Sequence, residues 1–148
     1  MFVEPKGKLI GVDYGSVRIG IAMSDELGMM AFGKMVIKND ATLFNSFLKI
    51  IQSENISSII LGYPMNLKNE KTAQTLEVEK FEEKLKQFLS ANNLNIDVIR
   101  WDERFTSKMA QESMIASGMK KKKRQEKSNL DIISATLMLQ SYIDSQKK

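Results

Sequence analysis

The sequence predicts an α/β fold, with a mixed central sheet flanked by helices. Three observations carry this expectation. The chain opens on an apolar strand that turns straight into a second strand and then a third, as a meander. Beyond the third strand, amphipathic helices alternate with short apolar runs. No segment repeats and no linker interrupts the pattern, so residues 1–148 are expected to form a single domain.

The elements follow in order. Leu9, Ile10 and Val12 mark the first strand, which ends at Asp13. Tyr14-Gly15-Ser16 is turn chemistry, with Gly15 free to take positive φ. Val17, Ile19, Ile21 and Met23 alternate with Arg18, Gly20 and Ala22 as the return strand. Residues 31–37 read as the third strand. Asp40 is placed to cap the next helix, whose stripe is Phe44, Phe47, Leu48 and Ile51. Ser58 to Gly62 is a buried strand, and Tyr63 to Asn66 continue as a loop. A helix over residues 72–89 buries Val78, Phe81, Leu85 and Phe88. Its Glu79, Glu82, Glu83 and Lys86 are expected to face water. Ile96 to Trp101 form a further strand. Thr106 or Ser107 caps a helix running to about Ala116, and Gly118 stops it. A last helix covers about residues 129–143, anchored by Leu130, Ile133 and Leu137.

Composition limits the chemistry. The chain has no histidine and no cysteine. Ser–His–Asp and Cys–His catalysis, thiol redox chemistry and the usual zinc sites are therefore excluded. Carboxylates, Lys, Arg, Tyr, Ser and Thr remain, and oxygen-only ligands favour Mg²⁺ or Mn²⁺. The N-terminal residues show no basic-then-apolar signal pattern, and no apolar run is long enough to span a bilayer. A soluble, cytoplasmic protein without membrane contact is expected. The net charge of +4 is concentrated. Residues 120–127 hold six basic residues and one acid: Lys120, Lys121, Lys122, Lys123, Arg124 and Lys127 against Glu126. The rest of the chain is nearly neutral. A dense basic run of this kind is the footprint of a phosphate-backbone partner.

Three places carry acids at the ends of elements. Asp13 closes the first strand, and Gly11 on the same face leaves an open position where an ion or phosphate can approach. Asp102-Glu103-Arg104 stands where the last strand ends, the side of an α/β sheet where ligands gather. Asp131 lies in the first turn of the last helix, with small neighbours Ser134 and Ala135 at i+3 and i+4. Alone, each fits an ordinary role: a turn acid, a surface ion pair, a helix-dipole partner. Together they fit two-metal phosphodiester hydrolysis, which needs several carboxylates converging on ions about 4 Å apart.

Four motifs in order resemble the YqgF (RuvX-like) family and cover nearly the whole chain. The first is Gly11-Val12-Asp13-Tyr14-Gly15-Ser16 with residues 18–22. The second is Leu61 to Asn66, and the third Asp102 to Ser107. The fourth is Asp131 with Ser134-Ala135, leading into Leu137 to Gln140. The resemblance implies an RNase H-like fold and a nuclease, with Asp13, Glu103 and Asp131 as catalytic, metal-binding acids. Asp102 stands as the substitute for Glu103. It also implies action on structured nucleic acid. Precursor small-subunit (pre-16S) rRNA, processed at its 5′ end in association with the ribosome, is the leading substrate. Resolution of Holliday junctions in DNA is the alternative. Arg18 and Arg104 are then candidates for steadying phosphates, and Lys120 to Arg124 for gripping backbone. A non-catalytic nucleic-acid-binding module is the competing reading from another class. An ATP-handling role fits poorly, because the chain lacks a Gly-rich loop ending in Gly-Lys-Ser or Gly-Lys-Thr.

Overall fold

The computed structural model describes residues 7–105 and 127–147. Its strands are β1 (Lys8–Asp13), β2 (Arg18–Ser24), β3 (Ala31–Lys38), β4 (Ile56–Tyr63) and β5 (Asp97–Asp102). Its helices are α1 (Leu43–Ser53), α2 (Ala73–Ala91) and α3 (Lys127–Gln146), and a 3₁₀ turn, Glu103–Phe105, follows β5. The strands form one mixed sheet in the order β3-β2-β1-β4-β5. β2 runs antiparallel to β1 and β3, whereas β4 and β5 run parallel to β1. The C-terminal ends of β1, β4 and β5 therefore lie side by side.

The period-2 patterns put different chemistry on the two faces of the sheet. One face presents Ile10, Val12, Ile19, Ile21, Ile59 and Leu61, all fully buried against α1 and α2. Phe47, Val78, Phe81 and Leu85 complete this core. Burying each such side chain contributes about 1.5–3 kcal/mol, so this face supplies most of the apolar stabilisation. The other face is cut from small residues. Ala22 and Ile60 meet Ala135, Leu139 and Ile143 of α3, and Trp101 packs edge-on against Tyr142 at 5.6 Å. Small side chains let the helix backbone settle directly on the strands.

Several local expectations are revised. Gly15 does not adopt positive φ; a Cβ there would strike the Arg18 carbonyl, so close approach demands glycine. Asp40 does not cap α1. The N-cap is Thr42, and the Asp40 carboxylate accepts from the Thr42 amide and hydroxyl instead. The buried stripe of α1 is Leu43, Phe47, Ile50 and Ile51, rotated from the expected one because the helix starts at Leu43. Thr72 caps α2 in a reciprocal box with Thr75. Glu82 of α2 is buried, not solvated, and takes two hydrogen bonds from Arg100 at 2.7 and 2.8 Å. Arg100 also lies over the Tyr63 ring, 4.5 Å from its centroid. Leu130 is exposed, and Ala135, Met138, Leu139 and Ile143 anchor α3 in its place. The helix expected from Thr106 or Ser107 to Ala116, its Gly118 stop and the basic run at 120–127 up to Glu126 lie outside the described residues. Among the described residues no helix is long and apolar enough to cross a membrane.

Candidate active site

Asp13, Glu103 and Asp131 arrive from three elements at one end of the sheet. Asp13 is the last residue of β1, and its register partner on β2 is Gly20. The Asp131 carbonyl occupies the space a Gly20 Cβ would need, so α3 crosses the sheet here against bare backbone. Gly62, near the end of β4, makes a second cradle. A Cβ there would collide with the Glu103 Oε1 atom and come within 2.8 Å of Met138 Sδ. Because β4 lies between β1 and β5, a glycine at its end lets Glu103 lean over it towards Asp13. The position expected to be open beside Asp13 is filled instead. Gly11 receives Leu139 and the Ala135 carbonyl of α3, which occupy the space beside it. Asp131 lies beyond the first turn of α3, since the helix begins at Lys127.

The electrostatics follow from burial. Burial pushes the Asp13 carboxyl above its ordinary value. The Ser134 hydroxyl and Glu103, both within hydrogen-bonding reach, oppose that rise, while the negative charge of Asp131 adds to it. Glu103 is pushed up to about 8, first by burial and then by the charge of Asp13. The two carboxyls thus share a proton at neutral pH, in the way of paired acids that cannot both ionise. Among the described residues, neither has a basic partner.

This pair tests whether a divalent cation suits the site. Two half-buried carboxyls whose proton affinities are raised first by burial, with only hard oxygen donors, are the setting a divalent cation relieves. The fit is that of a pair. Among the described residues no group of three or more acids stands close enough to hold a metal. Asp131 faces Arg18 instead, whose Nε donates to Asp131 Oδ2 at 2.8 Å across 113 residues of sequence.

The other candidates are placed differently. The Asp102 carboxylate is gripped by Arg104, whose Nε donates at 2.9 and 3.0 Å and whose Nη2 donates at 2.5 Å. Arg104 holds Asp102 below the ordinary carboxylate range. The same guanidinium donates to the Asn66 carbonyl at 3.2 Å and to Asn69 Oδ1 at 2.9 Å. Arg104 therefore pins the 3₁₀ turn to the loop after β4, and most of its donors are committed within the protein. Of the two adjacent acids, Glu103 joins Asp13 and Asp102 joins the clamp. Lys120 to Arg124 lie outside the described residues. Sequence reasoning missed three features: the Gly62 cradle, Ser134 as a donor to Asp13, and the Asp102–Arg104–Asn66 clamp. The i+3 spacing from Asp131 was the one signal for Ser134.

Comparisons with known proteins extend this picture. Residues 7–145 match the family described as "RuvX: Holliday junction resolvase". A protein of Flavobacterium psychrophilum named "Putative pre-16S rRNA nuclease" is 39% identical over 137 residues, covering 92% of this chain and 96% of its own. Proteins with the same name from Amoebophilus asiaticus and Phocaeicola vulgatus are 34% and 35% identical, over 96% and 95% of this chain and 97% of each relative. Among solved structures, T. thermophilus RuvC in complex with a Holliday junction substrate superposes with a TM-score of 0.58. It shares 10% identity, covering 94% of this chain and 96% of RuvC, and supports the RNase H-like architecture.

Proposed function

Since this chain belongs to the RuvX family of Holliday junction resolvases, we propose that it is a divalent-metal-dependent endonuclease that trims precursor small-subunit rRNA at its 5′ end. The observation that carries this reading is the Asp13–Glu103 carboxyl pair, seated over Gly62 at the ends of parallel strands with Asp131 alongside. The relatives' shared name supplies the rRNA side of the proposal.

Asp13 and Glu103 are the residues that would hold Mg²⁺ or Mn²⁺, with Asp131 completing the set. Such an ion, when bound, supplies Lewis-acid stabilisation of phosphoryl oxygens and an acidified water. The rest of the chemistry belongs to the chain. Ser134 donates towards Asp13 and fixes its orientation. Arg104, through Asp102, holds the turn that carries Glu103. Arg18 restrains Asp131 and stands as a cation beside the acids, where it would meet a scissile phosphate. A phosphate would compete with Asp131 for it, because both offer the anionic oxygens that a guanidinium prefers. Lys120 to Arg124 would grip backbone without reading sequence.

A second reading, resolution of DNA four-way junctions, is favoured by the description of the family itself. One experiment separates the two. Purified protein is given a labelled precursor rRNA leader and a labelled four-way DNA junction in Mg²⁺ or Mn²⁺, with EDTA and Asp13→Asn as controls. Leader cleavage lost in both controls is the expected result. Junction cleavage with the same losses would transfer the function to recombination. Metal-dependent cutting of neither would leave a binding module.

A further inference from the structure

Across the sheet from the carboxyl pair, the end of β1 also opens a cavity of about 310 Å³ that none of the chemistry above uses. Its floor is aromatic. The Tyr14 and Phe81 rings lie 5.0 Å apart, and Phe44 stacks on Phe81 at 6.2 Å with an interplanar angle of 11°. Lys80 and Lys84 stand exposed on its rim, one helical turn apart on α2. Asn39 lines it as well and ties the rim to the Asp13 turn. Its amide side chain donates to the Gly15 carbonyl at 2.9 Å, and its backbone N–H donates to the Val17 carbonyl at 3.0 Å.

Tyr14 directly follows Asp13, so their Cα atoms are about 3.8 Å apart. One residue belongs to the carboxyl site and the next to the aromatic floor. Asp40 and Glu77 also border the cavity and balance the two lysines, so it offers little net attraction for a phosphate. What it offers is an aromatic surface, its Tyr14 ring partly exposed and tilted 34° to the buried Phe81 ring, with cations at the edge. That is the chemistry with which proteins hold an unpaired base: the ring stacks, and the cations meet the backbone on either side.

We propose that this cavity, floored by Tyr14, Phe44 and Phe81 and rimmed by Lys80 and Lys84, seats one unpaired base of the strand being cut, close to the scissile phosphate. The proposal rests on the nuclease reading for the position of the cut. It gives the enzyme a preference for a nucleotide that is not base-paired, and it fixes the register of the strand over Asp13.

The test uses full-length protein and single-stranded leader RNAs carrying 2-aminopurine at successive positions, with binding followed in EDTA. The expected result is strong quenching at one position, adjacent to the bond that is cut in Mn²⁺. Tyr14→Leu should abolish that quenching and weaken binding about 5- to 100-fold. The surface pair Lys80→Glu/Lys84→Glu should weaken binding without altering the melting temperature, which guards against a folding defect in the first variant. Equal quenching at every position, or quenching and affinity unchanged in both variants, would overturn the proposal. Cleavage by the wild type without position-specific quenching removes the base pocket and leaves the nuclease intact. Position-specific quenching without cleavage confirms the pocket and removes the nuclease.

Discussion

Replacing Glu103 with Gln should stabilise the metal-free protein while abolishing its activity. A carboxyl whose proton affinity is raised by folding keeps its proton after the unfolded chain has released it. Stability is therefore lost as pH rises from the ordinary value of 4.5 through the folded value of about 8. At about 1.4 kcal/mol per tenfold change in proton affinity, that interval caps the penalty at about 5 kcal/mol above pH 8. Glu103 is only partly buried, so relaxation and solvent reduce the figure to about 2 kcal/mol. Gln carries no charge to bury, and its amide can still donate to Asp13. For a chain of this length, about 2 kcal/mol corresponds to roughly 4–8 °C in melting temperature. The assay is thermal melting of both proteins in EDTA, at pH 5 and pH 8.5. The variant should melt close to wild type at pH 5 and several degrees above it at pH 8.5. A variant that melts at or below wild type at pH 8.5 would refute the claim that Glu103 is held against its own charge.

Three further predictions address the cradle, the clamp and the basic run. Gly62→Ala should displace the Glu103 carboxyl, because the added methyl occupies its place. About 1–3 kcal/mol of stability should be lost, with a fall in cleavage of about 100-fold in single-turnover assays. Asp102→Asn breaks a charge-assisted pair with Arg104 and should lower stability by about 1–2 kcal/mol in urea titrations. Mn²⁺ affinity by calorimetry should survive in Asp102→Asn and fall sharply in Glu103→Gln; the reverse order would exchange the roles of the two acids. Changing Lys120, Lys121, Lys122 and Lys123 to Ser should reduce the slope of log binding constant against log salt by up to about 3–4. Mn²⁺ affinity should not change, and an unaltered salt slope would remove this run from the binding surface.

The strands and their order of appearance were legible because period-2 alternation is dictated by burial on one face, as in Ile19, Ile21 and Met23. The acids at strand ends were legible for a similar reason: a carboxylate closing an apolar run is locally conspicuous. What could not be read were relations between distant segments. Glu82 sits at a helical position that looks solvated, and only the register of β5 brings Arg100 against it. Leu130 looks like an anchor in sequence, yet the rotation of α3 is set by where its backbone fits onto Gly20 and Gly11. Asp102 and Glu103 are adjacent and chemically alike. Their separation into a clamp and a partner of Asp13 depends on Asn66 and Asn69, some 35 residues away.

The long reach between Arg18 and Asp131 carries a consequence for how the protein is made. The hairpin that bears Asp13 and Arg18 is translated well before the helix that bears Asp131 and Ser134, with 113 residues of sequence between Arg18 and Asp131. Throughout that interval a nascent chain has Arg18 lacking this partner and the small-residue face of the sheet uncovered by α3. Asp131 comes near Asp13 only once α3 has been added and laid onto the sheet.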